Sequence, residues 1–297
     1  MTEAHSPEIQ RILTSEQRDQ FSQDIFNQIN NEAWKDAAYA NLLGVKTFIR
    51  NGIDVIQRFE EASYQKHPEV HSDTDVIYVD SGPGPYSYKM LEPGKTDLDD
   101  KNYHKWQWSR KMDRARIRTA YALAAMITSQ RTGKQTHDLT AEDFEKFGPF
   151  IMYTSVDWQA SHIRHALGLA RKREKEAFKI PDSKLVMYEN FTSKGGEIKP
   201  IIHTQDQMEG LQFPNNPDGS KPRRVAIVSH PAHLMRVMHI LGKYPDSIPS
   251  GTKLQAFPVS TPTAALREYA KGEILGTLAT VFKTDRASLT PYANYEI

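Results

Sequence analysis

The chain has 297 residues, 38% of them hydrophobic and 25% charged, enough to bury a sizeable core in one large domain or one domain with additions. Its formal charge of +1 gives no electrostatic reason to expect nucleic acid or an anionic membrane surface as a partner. With no cysteine, disulfides, thiolate catalysis and Cys-ligated zinc or iron–sulfur clusters are excluded.

The amino-terminal residues MTEAHSPEIQ are polar, with no apolar run behind them, and no stretch is long enough to span a bilayer. A soluble, cytoplasmic protein with neither signal peptide nor membrane span is expected. Residues 1–12 read as a loose start. Thr14 followed by Gln17 predicts a capping box, with helical spacing through Phe21, Ile25 and Ile29. A second helical region covers about 34–64, with Gly44 and Asn51-Gly52 as expected breaks. Residues 1–72 are thus read as a helical segment packing on an α/β domain that covers 73–297.

Asp75 to Val79 (DVIYV) is the first strand candidate, and Asp80-Ser81-Gly82-Pro83-Gly84-Pro85 follows it. Gly82 and Gly84 let backbone turn tightly and approach a ligand closely, although the run is neither a GxGxxG nor a P-loop; an ordinary Gly/Pro turn is the alternative. Residues 86–108 are polar and turn-rich and read as an insertion. Trp106 and Trp108 then cover a pocket or anchor the loop to the core. A helix is expected from Arg110 to Gln130, its basic start (Arg110, Lys111, Arg114, Arg116, Arg118) read mostly as a solvated face.

Thr140 reads as a helix N-cap, and Pro149–Thr154 as the second strand. A helix is predicted from about 157 to 177; its His162 and His165 lack a third partner that would make a metal set, so no metal ligand is assigned. Lys184–Tyr188 is the third strand, and a polar, turn-prone run from Glu189 to Glu197 follows. A weak helix over 201–210 and a surface loop over 212–222 lead to Arg223–Leu241. There the apolar run Val225–Val228, the turn Ser229-His230-Pro231 and the helical spacing of Leu234, Val237, Met238 and Leu241 predict a buried strand running into an amphipathic helix. Leu254–Val259 is the fifth strand and a final helix runs to about Phe282. The tail, 284–297, reads as irregular.

Strands alternating with helices imply a doubly wound, mostly parallel, Rossmann-like α/β sheet of about five strands with helices on both faces. Ligands of such sheets sit at the carboxyl ends of the strands. That geometry nominates Asp80, Ser81, Gly82, Gly84, Thr192, Ser193, Glu197, Ser229, His230 and Arg236 as ligand-binding, and His233 and Glu189 as candidate acid/base groups. Arg236 has the planar fork suited to carboxylate or phosphate. Each has a bland alternative: a structural histidine at 233, a cap or loop ion pair at Glu189 and Glu197. Ser229 lacks a GxSxG elbow and is not read as a triad nucleophile.

At the strand ends the chain resembles the YdcF-like family of proteins of unknown function, which includes the SanA and ElyC envelope proteins. The residues that carry the likeness are DVIYVDSGPG, the Arg-rich helix start RKMDRARIRTAYAL, the set Glu189, Thr192, Ser193 and Glu197, and the set Val228, Ser229, His233 and Arg236. It spans roughly residues 73 to 283. The sequence departs from the family pattern at Lys194 and Ile198, where the family has Asn, and at Thr154-Ser155-Val156, where it has Ser-Gly-Gly. The expected function is binding of a nucleotide-like or phosphorylated small molecule, with S-adenosylmethionine as one adenosine-type candidate. A non-catalytic regulatory or envelope-homeostasis module and a phosphate or pyrophosphate hydrolase are the alternatives. Nothing in the sequence sets an oligomeric state.

Overall fold

The computed structural model describes residues 14–65, 69–80, 107–154, 180–193, 196–201, 204–261 and 266–297. The expected loose start, the loop with Ser81, Gly82 and Gly84, the tryptophan pair's side chains and the helix carrying His162 and His165 lie outside them.

Helix α1 (Ser15–Ile29) opens on the expected capping box. Gln17 N–H donates to Thr14 Oγ1 and Thr14 N–H to Gln17 Oε1, so two orphan donors are satisfied reciprocally. After the short α2 (Lys35–Ala40), α3 (Leu42–Ser63) runs unbroken through Gly44 and Asn51-Gly52, contrary to the expected breaks. Packing outweighs propensity there: Phe48, Ile49, Ile53 and Ile56 all bury on one side.

The α/β part contains β1 (Thr74–Asp80), α4 (Gln107–Thr132), α5 (Ala141–Phe147), β2 (Phe150–Thr154) and β3 (Leu185–Tyr188). It continues with the hairpin β4 (Asn190–Thr192) and β5 (Ile198–Pro200), then α6 (Thr204–Glu209), β6 (Arg224–Ser229) and α7 (Pro231–Leu241). It ends with β7 (Lys253–Pro258), α8 (Leu266–Thr284) and β8 (Tyr295–Glu296). Six strands form one sheet in the order β3-β2-β1-β6-β7-β8, and every neighbouring pair is parallel. The fold is therefore the doubly wound, Rossmann-like sheet.

The sixth strand is a correction to the expected irregular tail. Tyr295 and Glu296 pair with Leu254 and Gln255. Arg224 ties Glu296 down through a hydrogen bond from its Nη1. Two residues are too few to show strand alternation in a sequence, so only the edge they complete reveals them.

Both central strands, β1 and β6, are buried along their whole length, as expected where helices cover both faces. Alternation sends Ile77 and Val79 to the face covered by α4 and α5, and Val76 and Tyr78 to the face covered by α7. A further apolar layer joins α1 and α3 to α7 and α8 through Phe21, Ile25, Ile49, Ile53, Met235 and Ile274. At the amino end of β1, Asp75 accepts from Arg223 N–H, Nε and Nη2 and from Arg131 Nη2, pinning the start of β1 to α4 and β6.

The chain leaves β1 in one direction to build β2 and β3, and returns to its other side to build β6, β7 and β8. The strand order thus reverses between β1 and β6, and the carboxyl ends of these two strands carry Asp80 and Ser229.

Candidate functional site

Asp80 has the same parity as Val76 and Tyr78, so its side chain leaves the sheet on the α7 face. Helix α7 starts immediately after β6, with Pro231 as its first residue and His233 two residues further along. The two meet: His233 Nε2 lies 3.0 Å from Asp80 Oδ2, an ion-pair distance at which the two atoms are not aligned as a hydrogen bond. On the ring's other side, Nδ1–H donates to Glu273 Oε1 at 3.0 Å, from α8. Arg236, one turn along α7, brings Nη1 to 3.4 Å from Glu273 Oε2. Asp80, His233 and Glu273 are all buried, Asp80 and His233 almost completely.

These charges survive burial only because they face one another. Burial alone pulls the His233 imidazolium down, but Glu273 and Asp80 outweigh it and raise its pKa from 6.5 to about 9. Burial likewise pushes the Glu273 carboxyl up, and His233 and Arg236 overcome it, lowering its pKa from 4.5 to about 2. At neutral pH the row is therefore Asp80, a cationic His233, an anionic Glu273 and Arg236.

A second buried pair stands beside it on α4. Arg116 is fully buried and its Nη1 donates to Asp113 Oδ1 at 2.9 Å. Burial pushes the Asp113 carboxyl up, with the Arg116 charge opposing it. Arg116 Nε and Nη2 and the buried Tyr269 hydroxyl have no hydrogen-bond partner.

The turn between β6 and α7 is held by backbone acceptors. Ser229 Oγ donates to the Asp80 carbonyl at 3.1 Å, locking the two strand ends together. His230 Nδ1–H donates to the Val259 carbonyl at 2.7 Å, and its Nε2 stands 3.3 Å from the Met112 carbonyl. Burial keeps its pKa well below 6.5, with the Arg116 charge adding to the effect. His230 is thus a neutral joint between β6, β7 and α4. On the far side of β1, Thr154 Oγ1 donates to Gln207 Oε1 at 3.0 Å and lies 3.4 Å from Asp80 Oδ1.

Family models, curated proteins and solved structures were all compared with this chain, and none matches it.

Of the residues nominated from sequence, Asp80, Ser229, His230, His233 and Arg236 come together at the strand-order reversal. Ser81, Gly82 and Gly84 lie outside the described residues. Glu189, Thr192, Ser193 and Glu197 belong to the segment of the separate β4–β5 hairpin, which follows β3, the strand two places from β1 in the main sheet. There the Glu189 carbonyl accepts from Ile201 N–H, Ser193 N–H donates to the Glu197 carbonyl, and the Glu197 carboxylate pairs with Lys199 at 2.9 Å. Gly196, at φ 81°, makes the hairpin's reversal. Thr192 is exposed on the same hairpin.

Sequence reasoning missed Glu273, Asp113, Tyr269 and Gln207. Arg116 it assigned mainly to a solvated face, whereas that side chain is fully buried. A lone carboxylate within a helix carries no periodic signal; only its long-range partners identify it. Among the described residues, no group of three or more His, Cys, Asp or Glu is arranged to hold a metal ion, and no helix is long and apolar enough to cross a membrane.

Proposed function

We propose that this is a YdcF-like α/β protein that binds a nucleotide-like or phosphorylated small molecule at the carboxyl ends of β1 and β6. The observation that carries the reading is the buried charged row Asp80–His233–Glu273–Arg236 at the point where the strand order reverses. Buried charges cost stability unless they serve a purpose that apolar packing cannot, and in this fold that position is where ligands sit. Three cationic side chains in the cluster, Arg116, His233 and Arg236, favour an anionic partner. Asp113 and Glu273 hold two of these cations in place, so the ligand is met by directed donors. S-adenosylmethionine belongs to the adenosine-type class the reading admits.

His233 serves as a fixed cation in this reading. A ring held protonated between two carboxylates is poorly suited to take a proton at neutral pH. Its tether favours a binding role over one as general base.

A thermal-shift series with AMP, ADP, S-adenosylmethionine and a sugar phosphate tests the proposal. At least one compound raises the melting temperature of the wild-type chain, and the rise disappears in Arg236→Ala and Asp80→Asn variants that remain folded by circular dichroism. No shift with any of the four, or a shift indifferent to both substitutions, overturns it.

A further inference from the structure

The floor of this site contains donors with nothing to donate to. Arg116 is fully buried, yet among the described residues only Nη1 is bonded, to Asp113, while Nε and Nη2 are enclosed without partners. A buried unmet donor carries the whole cost of its lost hydration, and a guanidinium with two such groups is a conspicuous expense. The Tyr269 hydroxyl, within Coulombic reach of Arg116, is enclosed and unpartnered as well. The start of α7 adds to the set. Its N-cap, His230, makes no side-chain cap, because its ring is committed to the Val259 carbonyl. The first-turn N–H groups of Ala232 and His233 have no acceptor within the helix, and the positive end of its dipole lies there. His230 gathers the pieces: its Nε2 stands 3.3 Å from the carbonyl of Met112, one helical turn before Arg116 on α4, and its ring meets Tyr269 edge-on at 6.4 Å between centroids.

We infer that Arg116, Tyr269 and the uncapped start of α7 form the seat for one phosphoryl group of the ligand. The inference rests on the ligand-binding reading above and specifies which part of the ligand is recognised there. A phosphoryl group fits this donor set better than a carboxylate. Its tetrahedral oxygens can accept from the Arg116 Nε–Nη2 edge, from the helix N–H groups and from the tyrosine hydroxyl at once, whereas a carboxylate has two oxygens in one plane. Arg116 supplies a planar two-donor edge, the geometry guanidinium groups use for phosphate. Asp113 holds the far side of the guanidinium and fixes which edge is presented.

The test uses the whole chain and three probes: inorganic phosphate, AMP and adenosine. Phosphate, compared with chloride at equal ionic strength, raises the melting temperature of the wild-type protein and broadens the ³¹P resonance. AMP binds at least about tenfold more tightly than adenosine, the worth of one charge-assisted hydrogen bond or more. Arg116→Met removes most of that difference, and Tyr269→Phe removes a smaller part. If AMP and adenosine bind equally, or phosphate leaves both signals unchanged, the seat is wrong while the ligand pocket stands. If neither AMP, adenosine nor phosphate binds, the seat falls whichever other ligand the pocket accepts. Should Arg116→Met fail to fold, the wild-type phosphate titration and the AMP-to-adenosine ratio decide the matter alone.

Discussion

Replacing Glu273 with glutamine removes one charge from the buried row while keeping the shape of the side chain. The pKa of His233 rises from 6.5 to about 9 on folding. At roughly 1.4 kcal/mol per pKa unit, that is a preference of about 3 kcal/mol for the charged ring. The fall of Glu273 from 4.5 to about 2 is largely the same interaction seen from its partner, so it is counted once. Glu273→Gln is therefore expected to lose about 3 kcal/mol near pH 6, at the lower end of what breaking a buried pair costs. The pH dependence carries the sharper test. Below pH 6.5 His233 is protonated in folded and unfolded chains alike, so its contribution is fully present. Between pH 6.5 and about 9 the unfolded chain gives up its proton first, and the contribution drains away. On the acid side, the carboxylate's contribution is present above pH 4.5 and is lost as pH falls towards 2. Urea midpoints of the two proteins, measured from pH 5 to 10, should lie furthest apart around pH 5 to 6.5 and converge as pH approaches 9 to 10. A histidine ring resonance with an apparent pKa near 9 should move sharply down in the variant. A gap that is constant across this range would refute the assignment of a cationic His233 and, with it, the electrostatic account of the row.

Two further substitutions probe the frame that holds the site. Asp75→Ala leaves Arg223 and Arg131 without their shared acceptor at the amino end of β1 and should cost on the order of 3 kcal/mol by urea unfolding at pH 7. Burial raises the Asp75 pKa, but the bonds from Arg223 lower it overall from 3.8, so the wild-type advantage is present above pH 3.8 and shrinks as the solution is acidified below it. Gly242→Ala tests the docking of the tail: its Cβ would stand 2.3 Å from the Thr290 carbonyl oxygen. A loss of about 1–3 kcal/mol is expected, read as a lower melting temperature; an unchanged melting temperature would mean that residues 288–292 do not pack under α7.

Much of the fold was legible because its signals are local. Unbroken apolar runs at Val76–Val79 and Val225–Val228 mark strands covered on both faces, and both are buried throughout. Thr14 with Gln17, and Thr140 with Asp143 three residues later, form capping boxes where caps were expected. That Asp80, Ser229 and His233 would meet was legible because each stands at the end of a strand or the start of the helix after it. Gly44 and Gly52 misled, since glycine's poor helix propensity is a weak term beside the apolar face that α3 buries. The β8 pairing had no local signal at all.

The sequence by itself located the five main strands and most of the helices among the described residues and showed that they alternate, because hydrophobic period and cap chemistry are properties of neighbouring residues. Only the tertiary structure brought Glu273 to His233, 40 positions away along the chain, and buried Arg116, from a basic helix start, beside Asp113. Whether a charged side chain is solvated or enclosed depends on what packs over it, and that covering is supplied by helices far away in sequence. The same arginine is an ordinary surface cation when exposed, and a buried partner of Asp113 once enclosed.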